Sequence, residues 1–298
     1  MAGSKTWFEE FLEKETAWSR TESFPVKASL TERLLTREAE CKKLHPNPAD
    51  EFCDPAIGPN YEIIADYEQQ YRQALSHSQE YYEGEPLSVE RLYPDGYRIL
   101  NGHHRWAAAV RMGKKTIPIR IVNIMHEADV KKILEQSSHS RRAAIDLDEV
   151  ILSTGDNGPQ EKELAFPWDI RYELRLRSGV PVLFRFLMEN SYDIWLYSAQ
   201  YYSFDTLQEF FRKYHVEVTG LVCRKSRRSG EGSVGLERMI MEKYDYTVHI
   251  DNEAVVQIRP AQKEFREIEL KADPDGWSRA VIEAVTTIEK ESAKAEKP

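Results

Sequence analysis

The chain after residue 143 alternates short β-rich runs with helix-compatible segments, and this alternation constrains the fold more than any other feature. Four runs follow in order and end at or beside a polar residue: AAI before Asp146, YDIWLYS at Ser198, VEVTGLVCRK at Lys225 and YTVHI before Asp251. Strands separated by helices favour a parallel sheet, whose ligands bind at the carboxyl ends of the strands. We therefore expect an α/β domain of this kind.

The N-terminal half lacks this regular alternation. Apolar residues at helical spacing predict two helices in residues 7–40 and a third in residues 61–80. Residues 45–60, HPNPADEFCDPAIGPN, contain four prolines, which exclude a regular helix or central strand and predict an ordered loop. The pattern of residues 86–122 predicts several strands with one helix between them. Together these features predict a small mixed α+β domain.

The length of 298 residues suits two domains. A charged helical segment connects the two patterns, so we place the first domain at 1–136 and the second at 137–298, including a polar C-terminal tail. No apolar run reaches the roughly 18 to 20 residues of a membrane span, so we expect no membrane partner and a cytoplasmic location. The three cysteines lack CxxC spacing, which disfavours a zinc site and a disulfide framework.

Asp146 and Asp148 are separated by one residue at the end of a predicted buried strand, which brings both carboxylates to one rim. Mg²⁺ prefers carboxylate oxygens together with phosphate oxygens. A DxD pair is common on its own. Its order with later polar positions resembles the four motifs of the haloacid dehalogenase-like phosphatase superfamily, at Asp146 with Asp148, Ser198, Lys225 and Asp251.

This resemblance covers about residues 143–258 and implies a Rossmann-like parallel-sheet domain with an open site. It implies that Asp146 is the nucleophile that forms an aspartyl-phosphate, and that Asp148 is the general acid and base. Ser198 would hydrogen-bond the phosphoryl oxygens and Lys225 would neutralise charge. The Mg²⁺ ligands would be Asp146, Asp148 and Asp251. Other basic residues that could supply the charge of Lys225 are Arg224, Arg227 and Lys243.

In the N-terminal half, Gly102-His103-His104-Arg105 follows a predicted strand and opens a helix. Backbone N–H groups, imidazoles and a guanidinium at a helix N-terminus suit an anion. With its flanks, ILNGHHRWAAAVRMGKKTIPIRIV resembles the nucleotide-binding segment of the ParB/sulfiredoxin-like superfamily, and its free-serine kinases most. The resemblance implies that nucleotide phosphates, as ATP, ADP or another nucleotide, contact the segment Asn101, Gly102, His103, His104 and Arg105. Helix capping is the competing interpretation of the histidines.

The serine-kinase branch also uses an upstream acidic residue as the base for the substrate hydroxyl. The proline-rich loop offers Asp50, Glu51 and Asp54, of which we choose Glu51. The sulfiredoxin branch needs a cysteine where this chain has histidine, so sulfinic acid reduction is disfavoured. DNA partition is disfavoured because a phosphatase-like region occupies the place of a helix-turn-helix region.

These features predict a two-domain phosphoryl-transfer enzyme with a nucleotide-dependent kinase-like domain and a Mg²⁺-dependent phosphatase domain. Its partners would be a nucleotide and a phosphorylated substrate, small or macromolecular. One alternative is a nucleotide-sensing switch without turnover. Another is a nucleic-acid end-processing factor that uses the basic cluster Arg224–Arg228, although a net charge of −9 makes nucleic acid the less favoured partner.

Overall fold

The computed structural model describes residues 6–76, 85–153, 158–172, 174–223, 231–259, 264–271 and 274–295. The chain divides between Ile124 and Met125 into two compact units. This division precedes the boundary predicted at residue 136, because the helix after Met125 packs Val130 and Leu134 into a core cluster of the second unit. None of the helices within these ranges is both long and apolar enough to cross a bilayer.

The described residues of the first unit form one mixed sheet and four α-helices. The helices are α1 (Trp7–Thr21), α2 (Leu30–Arg33), α3 (Tyr61–Ser76) and α4 (His103–Arg111). The strands are β1 (Phe24–Pro25), β2 (Arg37–Glu40), β3 (Leu44–His45), β4 (Leu87–Tyr93), β5 (Tyr97–Asn101) and β6 (Thr116–Ile121). Their order is β2-β6-β4-β5-β3, with β1 paired to β4. The predicted mixed α+β architecture is confirmed.

One prediction for the first unit is wrong in detail. The second helix expected in residues 7–40 is the single turn α2, because the chain after it pairs as β2 with β6. The predicted order of strand, loop, helix and strand is observed as β5, α4 and β6. Ala107, Ala108 and Ala109 of α4 are fully buried, and small side chains let a helix approach its neighbours closely.

The second unit contains a mixed sheet covered by helices. The helices are α5 (Glu127–Gln136), α6 (Trp168–Arg171), α7 (Val180–Glu189), α8 (Phe204–Lys213), α9 (Glu231–Lys243) and α10 (Trp277–Ala295). The strands are β7 (Arg141–Asp146), β8 (Tyr192–Ser198), β9 (Gly220–Cys223), β10 (Tyr246–Ile250), β11 (Ala254–Arg259) and β12 (Glu264–Glu269). Their order is β12-β11-β10-β7-β8-β9.

Four of these strands, β10, β7, β8 and β9, run parallel, as the alternating sequence pattern predicts. The sheet as a whole is mixed, because β11 and β12 are antiparallel additions. The connection from β10 to β11 is a tight turn in which the Asp251 N–H donates to the Ala254 carbonyl at 3.0 Å. A turn this short joins antiparallel strands, whereas a parallel neighbour needs a longer crossover.

The strand β7 lies between β8 and β10: the chain runs from β7 to β8 and β9 on one side, and then crosses to β10 on the other side. Every residue of β8 is buried, as expected for an inner strand of a parallel sheet covered on both faces. Ligands of open α/β sheets bind outside the carboxyl ends of strands where the order reverses in this way. The fold therefore places the end of β7, at Asp146, in a position suited to a site.

Candidate functional sites

The turn from β5 into α4 depends on Gly102. Its φ of 99° lies in the left-handed region, which glycine adopts without strain. A Cβ at this position would come within 2.3 Å of the Leu87 side chain and 3.0 Å of Arg105 Nη2. Another residue at position 102 would displace the Arg105 side chain or strand β4. The glycine thus permits close approach of the guanidinium to the start of α4.

Arg105 is buried at 7% exposure. Its guanidinium lies beside Gly102, and in the described part of the chain it makes no ion pair or side-chain hydrogen bond. A cationic side chain that is largely buried favours an anionic partner. The first N–H groups of a helix also lack intrahelical acceptors and favour anions. This junction therefore combines two kinds of donor for an anionic group.

The two histidines contact the proline-rich loop. His103 Nε2 accepts a hydrogen bond from the Asn47 N–H, and His104 Nε2 accepts one from the Asn60 N–H, both at 3.1 Å. An imidazole that accepts at Nε2 is neutral and carries its hydrogen on Nδ1. Burial lowers the pKa of His104, against a smaller opposing effect of the Asp50 charge. Nε2 of each ring therefore accepts a backbone hydrogen bond from the loop. The expected phosphate contacts of the histidines stay a prediction.

The three candidate bases of the loop differ in how their carboxylates are used. Asp50 Oδ1 accepts from the Phe52 N–H at 3.1 Å, and Asp54 Oδ1 accepts from the Ala56 N–H at 2.8 Å. Both aspartates therefore stabilise local turns. Glu51 begins a short 3₁₀ helix, Glu51–Cys53, and its carboxylate has no partner within the described ranges. At the other side of Gly102, Asn101 is exposed at the end of β5.

In the second unit, Asp146 ends β7 and begins a single π-helical turn, Leu147–Ile151. Such turns occur frequently at functional sites. Asp146 Oδ1 accepts from the Glu149 N–H at 2.7 Å. Burial raises the pKa of Asp146; the Glu149 hydrogen bond opposes the rise, and the charge of Asp148 adds to it. The structure thus brings the two predicted catalytic carboxylates into electrostatic contact.

Asp148 is held by three donors. Its Oδ2 accepts from the Ser198 hydroxyl at 2.7 Å and from the Ala199 N–H at 2.9 Å, and its Oδ1 accepts from the Tyr202 hydroxyl at 2.9 Å. Ser198 is thereby placed beside Asp148, although its predicted partner was a phosphoryl oxygen. The hydrogen bond from Tyr202 to Asp148 was not predicted, because aromatic residues near such a motif are more typical of a core.

Asp251, the third predicted metal ligand, hydrogen-bonds within its own turn. Asp251 Oδ1 accepts from the adjacent Asn252 N–H at 2.6 Å, within the turn that leads to β11. The described residues contain no group of three or more histidine, cysteine, aspartate or glutamate side chains that could hold a metal ion. The predicted set of Asp146, Asp148 and Asp251 is therefore not assembled as a metal site, because Asp148 faces Ser198 and Asp251 stabilises its own turn.

The predicted phosphate-neutralising cation, Lys225, lies outside the described residues, as does the rest of the cluster Arg224–Arg228. Its alternative, Lys243, donates to the Ser137 carbonyl at 2.9 Å, ahead of the amino end of β7. This position is at the wrong end of the strand for Asp146.

Arg177 is a residue of this region that no sequence motif indicates. This residue is 4% exposed, donates to Asn252 Oδ1 at 2.6 Å and lies 4.2 Å from the ring centroid of Trp277. Asn252 in turn donates to the Glu149 carbonyl at 3.3 Å. Arg177 is therefore linked through Asn252 to the turn that follows Asp146. It lies in a stretch without a recognisable motif, which is why sequence reasoning missed it.

A comparison with known protein families finds a match for part of the chain that includes the junction of β5 and α4. Residues 60–138 match the family model of the ParB N-terminal domain. This segment is ParB-like. The match covers less than half of the chain and includes β5, α4 and β6, on which the predicted resemblance rests. No curated protein matches the chain.

Three solved structures are similar to parts of the chain. Two are C-terminally truncated ParB from Caulobacter crescentus. The structure with CTP-gamma-S is 27% identical over 36% of this chain and 56% of that one, with a TM-score of 0.24. The structure with the centromeric parS site is 28% identical over 33% of this chain and 46% of that one, with a TM-score of 0.22. The chain therefore spans about half the length of these proteins.

The third structure is a conserved hypothetical protein from Pyrococcus furiosus. It is 13% identical over 83% of this chain and 98% of that one, with a TM-score of 0.24. TM-scores this low do not support a function, and none of these matches concerns a phosphatase.

Proposed function

We propose that the first unit binds the phosphate groups of a nucleotide at the junction of β5 and α4. The observation that carries the proposal is the Arg105 side chain: the residue is 7% exposed, and its guanidinium lies beside Gly102 without an anionic partner in the described part of the chain. A phosphate accepts hydrogen bonds from a guanidinium and from the N–H groups of a helix N-terminus. The ParB-like match of residues 60–138 agrees with this proposal.

Titration of the purified chain with ATP, ADP and CTP, with and without Mg²⁺, tests this proposal. CTP is included because the Caulobacter crescentus ParB holds a CTP analogue. We expect saturable binding of at least one nucleotide that weakens with rising salt, since the contacts are ionic. Absence of saturable binding for all three nucleotides would contradict the proposal.

We further propose that the first unit is a kinase, which transfers a phosphoryl group from the bound nucleotide to a hydroxyl. Glu51 is its best candidate base, because its carboxylate has no partner within the described ranges whereas Asp50 and Asp54 stabilise turns. Phosphorus NMR with ATP or ADP and free serine would detect transfer to the hydroxyl. Loss of transfer in Glu51→Gln with retained nucleotide binding would support a kinase. Binding without any turnover would instead support a nucleotide-sensing switch.

A second candidate function belongs to the second unit, namely hydrolysis of phosphomonoesters through an aspartyl-phosphate. It is favoured by the position of Asp146 and Asp148 at the carboxyl end of β7, where the strand order reverses. An Asp146 oxygen would attack phosphorus as the bond to the ester oxygen breaks, and the leaving alkoxide would take a proton from Asp148. Water would then attack phosphorus, return a proton to Asp148 and release orthophosphate and the Asp146 carboxylate.

This activity is tested by release of orthophosphate from a generic phosphomonoester and from a 5′- or 3′-phosphorylated oligonucleotide. The predicted Mg²⁺ is included as a variable of the assay, since the described residues do not form a three-carboxylate metal site. Release from the oligonucleotide alone would favour the end-processing alternative. No release from either substrate would contradict the phosphatase proposal.

A further inference from the structure

Residues 47–60 lie between two contacts made by the first two residues of α4. The Asn47 N–H donates to His103 Nε2, and the Asn60 N–H donates to His104 Nε2. The donors stand at the two ends of one segment, and the acceptors are adjacent in sequence. Backbone N–H groups need an acceptor when they are removed from water, and each imidazole supplies one here.

The middle of this segment contacts the same two rings. The centroid of the Phe52 ring lies 5.3 Å from that of His103 and 5.1 Å from that of His104, and Phe52 is 2% exposed. Asp50 Oδ1 lies 3.7 Å from His103 Nδ1. Glu51 stands between these two residues in sequence. The segment is therefore held against the start of α4 at both ends and at its centre.

These hydrogen bonds require the imidazoles of His103 and His104 to be neutral. A nitrogen that accepts a hydrogen bond carries no hydrogen, so Nε2 of each ring cannot donate to a phosphate while the contact exists. A glutamine in place of histidine carries its Oε1 at a similar distance from the backbone and also accepts. An alanine cannot accept.

We infer that His103 and His104 are positioning residues, which as neutral imidazoles hold residues 47–60 against the N-terminus of α4 and keep Asp50 and Glu51 beside the nucleotide site. The part of the inference that places Asp50 and Glu51 beside a nucleotide rests on the nucleotide site proposed above. The hydrogen bonds themselves need no ligand, so the two proposals can fail separately.

The arrangement is expected to depend on pH. Asp50 is the charged group that faces both rings from the loop, and Arg105 follows them on the helix. Burial lowers the pKa of His104, so its ring is neutral near pH 7. As the pH falls from the ordinary histidine pKa of about 6.5 through the lowered pKa, protonation at Nε2 removes the acceptor for Asn60. The contact is therefore present at neutral pH and lost in acid.

Hydrogen exchange of single amides tests the inference on the full chain without nucleotide. The protection factor of the Asn60 amide is compared among wild type, His104→Gln and His104→Ala at about pH 7.5 and about pH 5. We expect His104→Ala to lower this protection by about tenfold and His104→Gln to retain it. Wild type should lose protection as the pH falls through the lowered pKa of His104, while His104→Gln does not. The Asn47 amide, bound to His103, is the internal reference at the higher pH.

Equal Asn60 protection in wild type and His104→Ala would overturn the inference, as would equal losses in His104→Ala and His104→Gln. A parallel titration with ATP, ADP and CTP separates the two proposals. Amide results as expected, with no nucleotide bound by wild type, would refute the nucleotide site alone. Nucleotide binding by wild type, together with equal Asn60 protection in wild type and His104→Ala, would leave the site standing and refute the positioning role.

Discussion

The two candidate sites differ in whether their charged group already has partners within the protein. At the junction of β5 and α4, Arg105 is buried without an anionic partner in the described part of the chain. At the carboxyl end of β7, Asp148 accepts three hydrogen bonds from its own surroundings. The guanidinium of the first site makes no ion pair within the described residues, whereas the carboxylate of the second is hydrogen-bonded at both oxygens. The charged group of the first site is therefore available to a ligand, whereas that of the second is already hydrogen-bonded within the protein.

The largest effect is expected from Asp146→Asn. If Asp146 is the nucleophile, phosphomonoester hydrolysis should fall on the order of 10³-fold or more, because an amide cannot form the covalent intermediate. The amide oxygen still accepts from the Glu149 N–H, so the turn is retained. Asp245→Asn is the control, since Asp245 is exposed just before the amino end of β10. A steady-state assay that found equal rates in both variants would exclude Asp146 as nucleophile.

The second effect concerns Arg105→Gln, which should weaken nucleotide binding about ten- to hundredfold by removing charge-assisted hydrogen bonds. Because Arg105 has no partner in the described chain, its loss should not lower the free energy of unfolding. Arg98→Gln is the matched control. Arg98 pairs with buried Glu90 at 3.2 Å, so its loss should lower that free energy by up to roughly 3 kcal/mol.

Calorimetric titration and urea unfolding of both variants distinguish the roles of the two arginines. Nucleotide affinity unchanged in Arg105→Gln would mean that the guanidinium is buried for another reason. A large loss of stability in the same variant would show that Arg105 has a structural partner in solution.

The order of elements could be predicted from the sequence because it depends on local patterns. Glycine and the alanine-rich run mark the start and body of α4, and the β-rich runs mark the parallel strands of the second unit. The antiparallel β11 was not predicted, because the strand pattern was followed only as far as Asp251, which was interpreted as a metal ligand. The structure uses both residues in the turn that reverses the chain.

The candidate sites were predictable in position but less so in chemistry. The residues of the Gly102–Arg105 segment were identified from their types, but the acceptor role of the histidines was not. Their donors, Asn47 and Asn60, are 56 and 44 residues away in sequence. Similarly, the hydrogen bond from Tyr202 to Asp148 spans 54 residues. Contacts over such separations are set by the fold and leave no local signal.

A smaller effect is expected from two tyrosines that donate to carboxylates at opposite ends of the same sheet. Tyr202 donates to Asp148 at 2.9 Å, and Tyr244 donates to buried Asp193 at 2.6 Å. Tyr202→Phe should lower phosphomonoester turnover by about tenfold, because one hydrogen bond to the charged group is lost. Tyr244→Phe should leave turnover unchanged and lower the free energy of unfolding by about 1 to 3 kcal/mol. Assays that reversed this pattern would place the reactive end of the sheet at Asp193.

The smallest effect is the pH dependence of stability caused by Asp146. Burial raises the pKa of its carboxyl in the folded chain, so between the ordinary value of about 3.9 and the raised value the unfolded chain binds fewer protons. Stability due to this group is therefore present in acid and lost as the pH rises through the folded pKa. Asp146→Asn removes the ionisation, so its stability relative to wild type should increase as the pH rises from about 4 towards 7. Urea midpoints of the two proteins across this range measure the difference. A difference that decreased with rising pH would mean that the carboxylate is stabilised by a cation in the native protein, and that its charge, unlike that of Arg105, is already paired.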